Sequence, residues 1–177
     1  MALGVLSALT AGLPTASLDW QPALITAQPW RVWTAAFVHW SPQHLLAGVA
    51  GCVTLAAFGA AARLPPHAAL AWLLAWPLGH LGLFVQPSLL HYGGLSGVLH
   101  AGVAVAALSV ACDERGALRA LGVAVGAGLL IKLAFEAPFE TAPAHGWSIA
   151  LAPLAHATGA LAGALTWSAI RLAARRR

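Results

Sequence analysis

The chain has 177 residues, of which 60% are hydrophobic and 8% are charged, and its nine basic and five acidic residues give a formal net charge of +4. Soluble domains carry about 25% charged residues, so the composition excludes an ordinary soluble domain and indicates an integral membrane protein. The basic residues lie in predicted loops and at the C-terminus, where they orient a membrane protein in the bilayer, so we expect no nucleic-acid partner.

Six apolar segments follow one another along the chain. Helix is the only structure that suits them in lipid, because an open sheet would leave backbone groups unpaired. The predicted spans are about 1–18, 42–62, 67–85, 95–111, 117–137 and 148–170. The sequence therefore predicts an all-α polytopic membrane protein, a six-helix bundle that forms one domain over residues 1–177.

The basic residues also predict the orientation of the spans, since cytoplasmic loops are enriched in lysine and arginine. Seven of the nine lie in the loops after spans two and four or in the tail: Arg63, Arg115, Arg119, Arg171, Arg175, Arg176 and Arg177. The opposite loops contain Arg31 alone, and Lys132 lies within span five. Both termini are therefore predicted to be cytoplasmic, with segments 19–41, 86–94 and 138–147 facing outward.

The outward segment before span two ends in His39-Trp40-Ser41-Pro42-Gln43-His44. Ser41 is a suitable N-cap and Pro42 a suitable first residue for the helix. His44 then lies in the first helical turn and faces an outer cavity, where its ring could donate a hydrogen bond to a developing oxyanion. Earlier in this segment, Arg31 is expected to anchor the loop to lipid headgroups or to backbone carbonyl groups.

Span four opens with Gly94-Leu95-Ser96-Gly97, a serine between glycines at the start of an apolar run. A serine hydroxyl is a weak nucleophile that needs a base within hydrogen-bonding reach, and the glycines allow a tight turn and close approach of another segment. The alternative is a seam of small residues packed between helices. His100 lies one turn after Ser96 on the same helix face. It either packs beside a serine–histidine pair or bonds a backbone group.

The candidate base is His156, in the outer half of span six. A histidine in a membrane span is costly and by default suggests a function, and imidazole suits proton transfer at neutral pH. Gly159 and Gly163 follow it and would allow span six to lie close against span four. The alternative is a packed histidine that bonds a carbonyl group.

Two charged residues near the end of span five, Lys132 and Glu136, are spaced i,i+4. An ion pair at this spacing offsets the cost of placing two charges near lipid, so we interpret the pair as structural. No acid is evident near His156, and the sequence therefore predicts a dyad of Ser96 and His156.

A zinc site is the alternative use of the histidines, with His39, His44 and His156 as three ligands. The chain has no His-Glu-x-x-His motif and no closely spaced cysteine pair. We therefore expect no metal ion and no other cofactor.

Taken together, these motifs resemble the rhomboid family of intramembrane serine proteases over nearly the whole chain. Trp30-Arg31 resembles part of that family's first outer loop, and His39 and His44 resemble the two histidines at the start of its second span. Gly94-Leu95-Ser96-Gly97 resembles the nucleophile motif. Ala155-His156-Ala157-Thr158-Gly159, with Gly163, resembles the motif of the base. The resemblance implies a serine endopeptidase with Ser96 as nucleophile and His156 as base.

The compact six-span form is most similar to the rhombosortase branch, as are Gly-Leu-Ser-Gly-Val-Leu-His, which ends at His100, and the segment from Lys132 to Glu136. This similarity implies substrates that are exported proteins with a C-terminal Gly-Gly-containing anchor, a single membrane span and a basic tail. Cleavage would occur near the outer face of a membrane, expected to be the bacterial inner membrane. One position departs from the family pattern: many rhomboids have an asparagine four residues after the second histidine, and this chain has Gly48.

Two other functions fit the same composition. One is a catalytically inactive rhomboid-like protein that binds membrane helices, which the glycine at position 48 favours. The other is a small transporter or channel with histidines as proton relays, against which the chain shows no inverted repeat and no paired broken helices.

Overall fold

The structure, a computed structural model, describes residues 2–10, 14–137 and 152–175. These residues form helices joined by turns, with one isolated β-bridge between Trp20 and Tyr92. The α-helices are α1 (Ala2–Thr10), α2 (Thr15–Leu18), α3 (Arg31–Thr34), α4 (Pro42–Ala61), α5 (Pro66–Leu81), α6 (Ser96–Asp113), α7 (Gly116–Phe135) and α8 (Pro153–Arg175), with 3-10 turns at Pro22–Leu24, Ala35–Phe37 and Gly82–Val85. The predicted all-α class is confirmed for the described part of the chain.

Four helical segments are long and apolar enough to cross a membrane: Pro42–Ala61, Pro66–Val85, Ser96–Asp113 and Gly116–Phe135. They correspond to the predicted spans two to five, and they support a membrane protein. Helix α8 has 23 residues, about 35 Å of helix, which is long enough to cross the hydrocarbon core. It is less apolar than the four and does not qualify by composition.

The predicted first span is not confirmed as one continuous helix. Helix α1 has nine residues, about 14 Å of helix, and α2 starts separately after Pro14. Pro14 has a non-helical backbone with ψ 110°, and a proline inside a helix removes one backbone hydrogen bond. Residues 11–13 lie outside the described residues, as do the predicted outer loop 138–147 and the predicted start of span six.

Helix α6 lies at the centre of the bundle and packs against α4, α5, α7 and α8. Within the membrane-length windows, 56% of α6 is buried, compared with 17% of α4 and 11% of α7. Helices α6 and α8 come very close at Gly159 of α8, where an added Cβ would overlap the backbone carbonyl of Gly97 on α6. The predicted close packing of span six on span four is therefore confirmed, and it depends on the absence of side chains.

The loop that leads into α6 is held by the segment between α2 and α4. Trp20 and Tyr92 exchange backbone hydrogen bonds of 2.8 and 3.0 Å, and the Gly94 N–H donates to the Ala35 carbonyl at 2.9 Å. Arg31 is buried, pairs with the Asp19 carboxylate at 3.0 Å and donates to the Asp19 carbonyl at 2.7 Å. Of the two anchoring roles predicted for Arg31, the contact with backbone carbonyls is the one observed, and it fixes the approach to Ser96.

Candidate active site

Ser96 is the first residue of α6 and is half-buried. Two residues earlier, Gly94 has φ +124°, a conformation that favours glycine, and an added Cβ there would overlap the His44 ring. The chain can therefore turn sharply into the helix while passing directly against that histidine. The backbone N–H of Ser96 belongs to the first turn, whose N–H groups have no acceptor within the helix.

Tyr92 lies beneath this turn and was not predicted as a site residue. Its hydroxyl oxygen is 3.5 Å from Ser96 Oγ, accepts a hydrogen bond from the Gly97 N–H at 3.3 Å and donates to the Gly94 carbonyl at 3.2 Å. Burial raises the pKa of Tyr92, so the phenol stays protonated and can donate. Tyr92 is the only tyrosine of the chain and precedes Ser96 by four residues, which is the one sequence signal that could have indicated it.

His156 is buried in the first part of α8, and its ring lies face to face with that of His100. The ring centroids are 4.1 Å apart and the planes differ by 9°. His100 Nδ1 is 2.6 Å from the Ser96 carbonyl oxygen, so Nδ1 carries the proton and donates. His100 thus contacts the backbone of Ser96 and the ring of His156 together.

The acid near His156 is Glu136, directly after the last residue of α7. Glu136 Oε2 is 2.8 Å from His156 Nδ1, and the other carboxylate oxygen accepts a hydrogen bond from Lys132. The prediction that no acid lies near His156 is therefore wrong. In the sequence, the i,i+4 spacing of Lys132 and Glu136 pairs the two charges with each other and suggests no further partner. Only the packing of α7 beside α8 shows that the Glu136 carboxylate also binds His156.

The structure places Ser96 and His156 on adjacent helices, and their sequence neighbours are in contact. An added Cβ on Gly97 would lie 2.8 Å from the Ala155 carbonyl oxygen. Across the residues that the structure describes, no hydrogen bond joins Ser96 Oγ to His156, and the side-chain partner of Ser96 Oγ is Tyr92. Such bonds between nucleophile and base are often long in a site without substrate and shorten in the complex.

His44 and His39 lie on the other side of the loop that precedes Ser96. Ser41 caps α4 by accepting a hydrogen bond from the His44 N–H at 3.2 Å, with Pro42 at the first helical position, as predicted. The His39 and His44 rings meet edge to face with centroids 4.8 Å apart. Burial lowers the pKa of His39, against the opposing effect of its hydrogen bond to the Phe37 carbonyl, so the ring is neutral.

Two ring nitrogens in this pair are buried and unpaired. His39 Nε2 and His44 Nδ1 have no hydrogen-bond partner among the described residues. Because His39 donates through Nδ1, its Nε2 carries a lone pair and cannot donate to an oxyanion. His44 is the member of the pair whose ring contacts Gly94, and it is therefore better placed to donate next to Ser96.

Gly48 lies against the same pair, and its neighbours leave little room for a side chain. An added Cβ at Gly48 would be 3.1 Å from His39 Nε2 and 3.2 Å from Leu95 Cδ1. Replacing Gly48 with asparagine should therefore lower stability by about 1–3 kcal/mol, as overpacking does. We expect it to reduce activity rather than to supply a missing donor. Thermal unfolding of the natural chain and of Gly48→Asn measures the change in stability. A Gly48→Asn variant more active than the natural chain would contradict the expected loss of activity.

A cluster of possible metal ligands is formed by His100, Glu136 and His156, whose ligand atoms lie within 4.8 Å of one another. This set differs from the predicted alternative of His39, His44 and His156. The lone pairs of an imidazole lie in the plane of its ring, and the two rings here are stacked with nearly parallel planes. Their lone pairs therefore do not converge on one ion. The arrangement suits hydrogen bonding better than coordination.

No family model and no curated protein matches this chain.

Proposed function

We propose that this chain is an intramembrane serine protease of the rhomboid-like class, with Ser96 as nucleophile and His156 as base. Within that class, the proposal extends to the rhombosortase branch. Its substrates would be exported proteins held in the membrane by a C-terminal Gly-Gly-containing anchor. The main supporting observation is that His156 is buried beside the first turn of α6, with its Nδ1 occupied by Glu136 and its Nε2 left for a serine proton.

The proposed bundle has six spans, both termini in the cytoplasm and a site that opens toward the periplasm of a bacterial inner membrane. The four apolar helices support the core of this arrangement. Helix α8 would be the last span, because it packs along α5 and α6 and ends in basic residues, and the first would run over residues 1–18, which include α1 and α2. The enrichment of arginine in the loops after α4 and α6 and in the tail supports the orientation.

In the proposed reaction Ser96 Oγ attacks the carbonyl carbon of the scissile peptide while its proton passes to His156 Nε2. The negative oxygen of the tetrahedral intermediate would accept hydrogen bonds from the Ser96 N–H and the His44 ring. When the C–N bond breaks, His156 gives the proton to the leaving amine, and an acyl-enzyme on Ser96 remains. Water then attacks this ester with His156 again as base, which releases the acid and restores the serine.

The test is covalent labelling with a fluorophosphonate, which reacts only with an activated serine. We expect the purified chain to be labelled at Ser96, and the Ser96→Ala variant to stay unlabelled. Mass spectrometry of the labelled peptide locates the adduct. A folded protein that resists labelling at every probe concentration would contradict the proposal.

The second candidate is a catalytically inactive rhomboid-like protein that binds membrane helices. It is favoured by the missing hydrogen bond between Ser96 Oγ and His156, and by the glycine at position 48. Such a protein would retain a Gly-Gly-anchored substrate intact, with or without Ser96. Cleavage of the anchor that depends on Ser96 distinguishes the enzyme from this binder.

A further inference from the structure

Glu136 bonds His156 as well as Lys132, and its ion pair with Lys132 does not explain this second contact. Resting on the proposed function, we propose that Glu136 is a positioning residue. Its carboxylate would fix the orientation and tautomer of His156 and stabilise the imidazolium that forms during the reaction. The site then works as a serine–histidine–glutamate group, instead of the dyad that the sequence predicts.

The first argument is the hydrogen bond itself. The distance of 2.8 Å between His156 Nδ1 and Glu136 Oε2 lies in the range of charge-assisted hydrogen bonds. An ionised carboxylate only accepts, so the proton of a neutral His156 must be on Nδ1. The lone pair is then on Nε2, the ring nitrogen that remains to take a proton from a nucleophile.

The second argument is that both oxygens of the carboxylate are used. Lys132 donates to Oε1, while His156 binds Oε2. The lysine supplies a positive charge that favours the ionised carboxylate, and 46% of its own side chain is exposed. The Glu136 side chain is only 22% exposed, which limits competition from water for the bond to His156.

The third argument concerns the freedom of the His156 ring. His100 covers one face of the ring, and Glu136 holds its edge through Nδ1. Rotation of the ring would break its hydrogen bond to Glu136, and tilting would break its stacking on His100. Because His100 is itself bonded to the Ser96 carbonyl, these contacts orient the base relative to the turn that carries the nucleophile.

The fourth argument is the way in which α7 ends. Ala137, directly after Glu136, has φ +46°, a left-handed conformation that is unfavourable for a residue with a Cβ. Glycine normally fills this position after a helix. Strained backbone of this kind is often found beside functional groups. Here it ends the helix immediately after the carboxylate that contacts His156.

The experiment compares the natural chain with Glu136→Gln, which keeps the size of the side chain and removes its charge. Glu136→Asp keeps the charge on a shorter side chain. The matched control is Glu114→Gln, the same change after the opposite end of α6. With a Gly-Gly-anchored reporter, we expect Glu136→Gln to lower kcat by about 10²–10⁴-fold, with KM changed only a few-fold. Glu136→Asp should recover part of kcat, and Glu114→Gln should match the natural chain.

The tautomer of His156 provides a readout that a merely structural ion pair would not change. Nitrogen-15 NMR of labelled imidazoles distinguishes protonated Nδ1 from protonated Nε2, and a His156→Asn variant identifies the signal. We expect protonated Nδ1 in the natural chain and a mixture or the opposite tautomer in Glu136→Gln. The same tautomer in both proteins would overturn the inference.

Two kinds of failure can be told apart. If the natural chain neither cleaves the reporter nor reacts with a fluorophosphonate, the proposed function fails, and the role of Glu136 fails with it. If the natural chain is active and Glu136→Gln keeps its kcat, the inference about Glu136 alone fails. Loss of wild-type activity on chelation, restored by zinc, would also overturn it, because the cluster would then hold a metal ion.

Discussion

Replacement of Ser96 by alanine should abolish cleavage of a Gly-Gly-anchored reporter while the protein still folds and accumulates in the membrane. The side chain is half-buried, and its Oγ has only a long contact of 3.5 Å with Tyr92, so the fold loses little. The proposed reaction, by contrast, would lose its nucleophile. In serine proteases, loss of the nucleophile lowers kcat by about 10⁶-fold. The remaining activity would lie below detection in a reporter assay.

His156→Ala should have the same effect as Ser96→Ala, and the double variant should be no worse than either single one, since groups that act as a unit are not additive. The matched control is Ser168→Ala on α8, near the other end of the bundle. It should cleave like the natural chain. Cleavage of the reporter by Ser96→Ala at a rate near that of the control would contradict the assignment of the nucleophile.

Replacement of Gly159 by alanine should separate α8 from α6 and remove both stability and activity. The added Cβ would overlap the Gly97 carbonyl and lie within 3.2 Å of the Gly97 Cα, where backbone rather than a flexible side chain must move. Overpacking of a tight contact costs about 1–3 kcal/mol or more. Because Gly97 follows Ser96 directly, the same displacement moves the nucleophile away from His156.

Gly128→Ala on α7 is the matched control for this prediction, since an added Cβ there meets nothing within 4 Å. Alanine favours helix over glycine by about 1 kcal/mol, so this variant should be as stable as the natural chain or slightly more stable. Thermal unfolding in detergent and cleavage of the reporter give the two readouts. Equal unfolding temperatures for Gly159→Ala and Gly128→Ala would contradict the close contact.

The elements that could be predicted from the sequence are those with a strong local signal. Long apolar runs located α4 to α7, and a serine before a proline located the start of α4 at Pro42. The continuity of the predicted first span is not confirmed, because α1 ends at Thr10 and α2 begins at Thr15, after Pro14. A proline inside a helix removes one backbone hydrogen bond and kinks or breaks the helix, although α5 continues through Pro77.

The site could be predicted only in part, for a related reason. Ser96, His100 and His156 stand out in sequence because polar groups are expensive inside apolar helices. Glu136 and Tyr92 lie just outside helix ends, where polar side chains are ordinary and carry no such signal. The importance of Glu136 depends on a distance across the bundle, 2.8 Å to His156, which no spacing along the chain encodes. Tyr92, 3.5 Å from Ser96, is indicated only by its position four residues earlier.

The burial of α7 has a consequence for the chemistry proposed here. Only 11% of its membrane-length window is buried within the described protein, yet the residue that directly follows the helix bonds the imidazole of His156. In a bilayer, acyl chains would therefore contact much of α7 and share in setting its tilt and depth. In the proposed protease, bilayer thickness and lateral pressure would then act on the protonation of His156 through a single carboxylate, so that the composition of the surrounding membrane would help to tune activity.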